Sequence, residues 1–302
     1  MYKRQEEDHD EDHEEHEEET TNYSFDSSNL SFALDLSRPL NENLSLNLGY
    51  SNVERAPSVV ELFMNGPHLA TGRFETGDVN LSAETSSNFD IGLSYEADNT
   101  YASLTIFRND TDNYIYLMDM HDEDDHDDHM EAMDEDDHDE DHDDHGHAEG
   151  LIPANYMQQN AELNGYELQI GRVFNLDSGD LEVSFSRDVV NGELADGMNI
   201  PRLSPARNIY SVEYTMNDYL FDLSFKDVED QKDVAEEETP TMGYQMLDTK
   251  VVKTFDLNGN SLRVSVFANN LLDEVARNHS SFVKNQVPLP GRNYGIRFNL
   301  TF

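Results

Sequence analysis

The sequence predicts an all-β fold, an antiparallel up-and-down transmembrane β-barrel with long outer loops and short periplasmic turns. Three observations point there. Apolar and polar residues alternate with period two through most of the chain. The alternating runs are long enough to cross a bilayer at a tilt. Short and long connections between them follow one another without exception.

The alternation is explicit at Leu30, Phe32, Leu34 and Leu36, at Leu44, Leu46, Leu48 and Tyr50, and at Phe89, Ile91, Leu93 and Tyr95. It recurs at Leu181, Val183 and Phe185, at Tyr219, Phe221, Leu223 and Phe225, and at Leu262, Val264 and Val266, and it ends at Tyr294, Ile296, Phe298, Leu300 and Phe302. Between them stand Ser, Asn, Asp, Arg or Gly, so one face of each strand meets an apolar phase and the other does not. About eleven strands follow, over 24–38, 43–54, 84–97, 100–117, 156–174, 180–190, 205–216, 218–228, 241–255, 261–272 and 290–302. Short turns (RPLNEN, ADN, LDSG, the Asn217 region and DLNGN) follow the odd-numbered strands, and long polar loops follow the even ones. With a periplasmic C-terminus, segment 1–22 and the loop at 118–155 both lie on the outer side. Such a sheet leaves an open edge, which lipid does not tolerate, so this chain is expected to be part of a larger barrel. Residues 1–22 then read as the remnant of an outer loop and 23–302 as the C-terminal part of the barrel. A soluble β-protein is the alternative.

The formal net charge is -45, from 64 acidic and 19 basic residues. It is concentrated: residues 6–19 hold 11 acids and residues 119–149 hold 18, with no Lys or Arg in either stretch. This balance excludes a phosphate-binding surface for nucleic acid and favours cations. There is no Cys, hence no disulfide framework and no thiolate metal site. No apolar run is long enough for a transmembrane helix, and MYKRQEEDHD has no apolar stretch of the kind a secretory signal needs. The expectation is a cytosolic protein or a chain whose N-terminus lies upstream.

The acidic stretches carry His9, His13 and His16 in the first, and His121, His126, His129, His138, His142, His145 and His147 in the second. Neutral imidazole with carboxylate suits Zn²⁺ and also Ni²⁺, Co²⁺ and Cu²⁺, whereas Ca²⁺ and Mg²⁺ sites need only oxygen. His138, His142 and His145 lie four and three apart, as do His9, His13 and His16, so a helical turn would put each trio on one face. Like charges at that spacing repel, and order is expected only with metal bound. The bland alternative is a solvated acidic surface that binds or sequesters divalent cations. No nucleophile elbow, phosphate-cradling glycine loop or HExxH is present, and no enzyme is expected.

Several stretches resemble TonB-dependent outer-membrane receptors. Val53-Glu54-Arg55-Ala56-Pro57-Ser58, continuing to Glu61-Leu62-Phe63, is similar to the family's segment at a strand end. Asn80-Leu81 with Glu84 and Ser87-Asn88 is similar to the entry of the next strand. Phe267-Ala268-Asn269-Asn270-Leu271-Leu272-Asp273 is similar to its NLLD motif, and Pro290-Gly291-Arg292 opens a run that looks like its last strand. The resemblance covers about residues 30–302. It implies the C-terminal half of a 22-stranded barrel in the Gram-negative outer membrane, with the N-terminal plug, the TonB-contacting box and the first half of the barrel absent from this sequence.

Residues 65–72 and 276–280 are similar to the zinc-uptake receptors of that family, which singles out His68 and His279 as candidate ligands beside the ten histidines above. The resemblance implies a transporter of zinc as substrate, other divalent transition metals or haem being alternatives. The implied partners are TonB through the missing plug, outer-membrane lipid, and the outer-membrane assembly machinery through the strand ending at Phe302. A non-transporting barrel and a soluble metal-storage protein are the competing readings.

Overall fold

The structure is a computed structural model and describes residues 28–120 and 150–302. They form one 13-stranded sheet. The strands are β1 Phe32–Pro39, β2 Leu44–Arg55, β3 Asn65–His68, β4 Arg73–Thr76, β5 Glu84–Ala97, β6 Thr100–Asp119, β7 Ile152–Leu176, β8 Gly179–Leu194, β9 Arg207–Met216, β10 Tyr219–Val228, β11 Tyr244–Leu257, β12 Asn260–Asn269 and β13 Asn293–Thr301; one short helix, α1, spans Val59–Phe63. The order is β1-β2-β5-β6-β7-β8-β9-β10-β11-β12-β13, every neighbour antiparallel, which is the meander the alternation predicts. Among the described residues the path does not close: β1 and β13 are its two edges.

At one end of the sheet the connections are short, as at Asp98–Asn99, Asn217–Asp218 and Asn258–Gly259. Asn258 and Gly259 both take positive φ, 55° and 98°, matching an Asn-Gly turn to the twist of its strands. At the other end lie 56–83, 120–151, 195–206, 229–243 and 270–292.

One face of the sheet carries Leu34, Tyr50, Phe89, Ile106, Tyr166, Val189, Tyr210, Leu223, Val251, Val266 and Ile296, which the register places on the same side of neighbouring strands. Most of these stand open to the surroundings: Ile296, for example, is 62% exposed. A water-soluble sheet would not leave a continuous apolar wall of that extent uncovered. The opposite face carries Asn88, Thr105, Glu167, Gln169, Ser186, Glu213, Asp222 and Arg297. Apolar-out and polar-in is the arrangement of a membrane barrel wall.

The strand limits differ from the expected ones for definable reasons. β7 and β8 run beyond 156–174 and 180–190 because their upper ends leave the apolar band. Outward positions there become Glu162, Asn164, Asn191 and Glu193, and the ladder continues in water. The strand expected over 261–272 stops at Asn269. Asn270 turns to φ 51°, and its side chain donates to the Glu274 and Pro290 carbonyls. The expected first strand at 24–38 appears from Phe32, and 24–27 lie outside the described residues. The expected loop at 118–155 is narrower, since β6 reaches Asp119 and β7 begins at Ile152. β3 and β4 are additional to the expected strands: four residues each, paired with one another, with β4 running parallel to Ile152–Asn155 of β7.

The stretches that carry the family resemblance are structural staples. Ser58 caps α1 in a capping box: its hydroxyl accepts from the Glu61 N–H at 3.2 Å, and the Glu61 carboxylate accepts from the Ser58 N–H at 2.6 Å. Arg55 donates to both Glu61 oxygens and to Glu84, binding the long loop to β2 and β5. Burial pushes the Glu61 carboxyl up, but the Ser58 N–H and Arg55 outweigh it and hold the group below its ordinary value. Leu62 and Leu81 are buried against Ile115. Asp273 accepts from the Arg292 N–H at 3.1 Å, so NLLD and PGR meet across the last loop.

Candidate functional site

Four long connections and the ends of β6 and β7 converge above the sheet. The loop 56–83 supplies His68, Arg73 and Glu75; β6 and β7 supply Asp119 and Tyr156; 195–206 supplies Arg202; 229–243 supplies Glu238 and Thr241; and 270–292 supplies His279, Phe282 and Lys284. Two histidine neighbourhoods sit here, joined by a buried chain of charges.

The first is the β3–β4 hairpin. Its turn brings His68 opposite Arg73, and Glu75 reaches back under the ring. The Glu75 carboxylate is 1% exposed and accepts from His68 Nδ1 at 2.8 Å, from the Thr71 hydroxyl at 2.9 Å and, through its other oxygen, from the Tyr156 hydroxyl at 3.2 Å. With Glu75 as the acceptor the proton is placed on Nδ1, and a neutral ring then keeps its Nε2 lone pair. The His68 side chain is 47% exposed. This is a carboxylate-oriented imidazole, the arrangement that raises ligand basicity and fixes the tautomer in metal sites.

The second neighbourhood is closed. His279 is 2% exposed, with Nε2 3.0 Å from Glu238 and Nδ1 2.9 Å from the Thr241 hydroxyl. Glu238 also accepts from Lys284 Nζ at 2.6 Å and from the Arg202 backbone N–H at 3.0 Å. Burial raises its carboxyl, but the His279, Lys284 and Arg202 donors prevail and hold it down at about 2. Both ring nitrogens of His279 are occupied, so the ring ties loops together as it stands.

Between them, Arg73 grips Asp119 through two bonds, 2.6 and 2.5 Å, in a fork-to-fork pair. Arg202 lies 3.7 Å from the same carboxylate and donates to the Leu117 carbonyl. The Arg73 and Arg202 guanidiniums lie 4.7 and 4.1 Å from the Phe282 ring centroid. A cavity of about 80 Å³ is bordered by Arg73, Asp119, Arg202, Glu238, Phe282 and Lys284. Asp119 precedes the His-rich segment, and Ile152, which follows it, donates to the Gly72 carbonyl at 3.1 Å; Met120 N–H bonds the Pro153 carbonyl at 2.8 Å. Both roots of that segment are therefore pinned beside the His68 hairpin.

Of the twelve histidines singled out, His68 and His279 fall within the structure. His9, His13, His16, His121, His126, His129, His138, His142, His145 and His147 lie outside the described residues. No group of three or more His, Asp or Glu with metal-binding geometry exists among the described residues. Sequence reasoning missed Glu75, Tyr156, Arg73, Asp119, Arg202 and Glu238. Each reads as an ordinary polar residue, and only the hairpin register and long-range contacts reveal its role.

The model of the TonB dependent receptor-like β-barrel matches residues 4–271. The chain belongs to the TonB-dependent receptor β-barrel family. That membership places it in the outer membrane of Gram-negative bacteria. It is 34% identical over 102 residues to the ferrienterobactin receptor of Escherichia coli K12, covering 31% of this chain and 14% of that protein. It is 32% identical over 99 residues to a probable hemoglobin and hemoglobin-haptoglobin-binding protein of Haemophilus influenzae, covering 32% of this chain and 9% of that protein. In fold it is similar to the copper transporter OprC, with TM-score 0.68, 17% identity and coverage of 89% of this chain and 39% of that one. It is also similar to the siderophore receptor PirA from Acinetobacter baumannii, with TM-score 0.59, 19% identity and coverage of 90% and 41%. The chain thus spans about two fifths of these structural neighbours and a smaller share of the curated relatives it matches.

Proposed function

We propose that the chain is part of a TonB-coupled receptor that imports a transition-metal ion, zinc before others, and that its His- and acid-rich segments at 1–22 and 121–147 gather the ion above the barrel. The observation that carries this reading is the His68–Glu75 pair. A half-exposed imidazole with its free nitrogen outward is held by a buried carboxylate, beside the pinned roots of the densest histidine segment. The negative field of the acidic stretches concentrates a free divalent cation and repels an anionic chelate. Protonation of the histidines below about pH 6.5 would release the ion. On this reading His279 braces the loops, and the lipid-facing edges β1 and β13 pair with further strands of a complete barrel around a plug, through which TonB acts. Phe302, exposed immediately after β13, is the residue offered to the outer-membrane assembly machinery.

Relatives named as receptors for ferric enterobactin and haemoglobin favour a second reading, a haem or metal-chelate receptor. Uptake at limiting concentration by cells expressing the full-length protein separates the two. Loss of zinc uptake on deleting 118–150 and on His68→Ala supports the first. Uptake of a ferric chelate or haem without zinc uptake establishes the second. Zinc binding with no uptake of any of these reduces the loops to sequestration.

A further inference from the structure

The lipid-facing wall carries an uneven distribution of charge that the transport reading does not use. Strand register places Arg38, Arg108, Arg172, Arg187 and Lys253 on the outward, apolar face of the sheet, in line with Leu46, Phe89, Val183, Leu168 and Tyr219 respectively. Two of these cations stand at the long-loop end, and each is neutralised. Arg108 pairs with Asp110 at 2.8 Å and with Glu162 at 2.7 Å, and Arg187 pairs with Glu229 at 2.7 Å. The other three stand at the short-turn end, and none has a carboxylate partner among the described residues.

The outward-facing acids follow the opposite rule. Within the strands of the main sheet they are Glu54, Asp110, Asp112, Glu162, Glu193 and Asp227, and all lie at the long-loop end. Among the outward-facing strand positions the short-turn end therefore carries cations alone, while the turns below it hold Glu42, Asp98, Asp177 and Asp218. Two of them rest on aromatic platforms. Lys253 Nζ is 4.3 Å from the Tyr219 ring centroid and 5.1 Å from that of Phe255, and it donates to the Tyr219 hydroxyl at 2.6 Å. Arg172 lies 5.2 Å from the Phe174 ring centroid. An aromatic ring with a cation at its face is at home at the boundary between hydrocarbon and headgroups, where the stem stays in the apolar phase and the charge reaches polar partners. With the long loops outside, this boundary is the periplasmic one.

The geometry points to an anionic-lipid belt: Arg38, Arg172 and Lys253 bind the phosphates of acidic glycerophospholipids in the inner leaflet. The charges stand on the lipid-facing side, each within four residues of its strand's short-turn end, with no carboxylate partner among the described residues, so a phosphate in the membrane plane is the complementary group. The carboxylate-rich outer end has the opposite character and repels the same headgroup. The inference requires only that the wall faces lipid and holds whichever cargo the receptor carries.

The test is made with the full-length receptor in phosphatidylcholine vesicles containing a trace of spin-labelled phosphatidylglycerol or spin-labelled phosphatidylcholine. The expected result is that the acidic probe is preferred in the motionally restricted shell by about fivefold, the strength of one basic contact at a headgroup surface. The preference should fade as NaCl is raised. The triple variant Arg38→Gln, Arg172→Gln and Lys253→Gln abolishes it, whereas the charge-preserving variant Arg38→Lys, Arg172→Lys and Lys253→Arg retains it. The outer-end variant Arg108→Gln with Arg187→Gln leaves it unchanged. Equal restriction of the two probes by the unmodified protein, or a preference that survives the glutamine variant, overturns the proposal.

Discussion

His68 and His279 occupy the same rim, and each ring contacts a nearly buried carboxylate, Glu75 in one case and Glu238 in the other. They differ in what happens to the second nitrogen. At His68 one nitrogen is held and the ring edge faces solvent. At His279 the Thr241 hydroxyl takes the second nitrogen and Lys284 shares the carboxylate. One neighbourhood is arranged to accept something further, and the other is complete. An isolated histidine in an outer loop acquires its role from how its ring nitrogens are bonded, not from its position in the chain.

The comparison can be broken at the closed end first. Glu238→Ala should have the largest effect, about 3–5 kcal/mol on the local stability of the loop cluster, because it strands Lys284 as a buried unpaired charge. Hydrogen exchange should accelerate in 229–243 and 270–292 while the strands stay protected; unchanged exchange there would mean that the cluster does not hold those loops. Acid acts on the same group. Its folded value, about 2, lies below its ordinary 4.5, so its contribution is complete above about pH 4.5 and is lost as pH falls towards 2. The loss should amount to a few kcal/mol, with faster exchange of those loops at pH 3 than at pH 6 after correction for intrinsic rates.

The open end should respond in ligand binding instead. In full-length protein lacking 118–150, so that the segment's own imidazoles do not mask the site, Glu75→Gln should weaken zinc binding about 10–100-fold. His68→Ala should weaken it at least as much, and His279→Ala should leave it unchanged while loosening the loops. Calorimetric titration distinguishes these cases. Equal weakening by both histidine variants would erase the distinction drawn between them. The smallest effect belongs to Ser58→Ala, about 1 kcal/mol from the lost cap of α1, seen as faster exchange confined to 59–64.

The barrel wall was legible because its cause is local. Lipid on one face and a polar interior on the other impose a period of two on each strand separately, and Leu44, Leu46, Leu48 and Tyr50 show it without reference to any partner. The short turns were legible for the same reason, Asn258-Gly259 being a turn by its own backbone preferences. Strand ends were less so. Above the apolar band β7 and β8 turn Glu162, Asn164, Asn191 and Glu193 outward while Ala161, Leu163 and Leu194 pack on the other face, and nothing in Glu162 or Asn191 alone distinguishes a strand in water from a loop. The β3–β4 hairpin was invisible because it is four residues per strand, contains Gly66-Pro67, and is stabilised by parallel pairing to a strand far along the chain.

By itself, the sequence determined the meander, the grouping of short turns at one end and long connections at the other, and the apolar wall. Each of these follows from the composition and spacing of neighbouring residues. Only the tertiary structure decided which histidine keeps a free nitrogen, that Arg73 and Asp119 anchor the root of the His-rich segment, and that the outward cations at one end have no carboxylate partner among the described residues. Those outcomes depend on hydrogen bonds between residues up to 209 positions apart, as between Arg73 and the Phe282 carbonyl. Such contacts are set by strand register and loop packing, which no local pattern encodes.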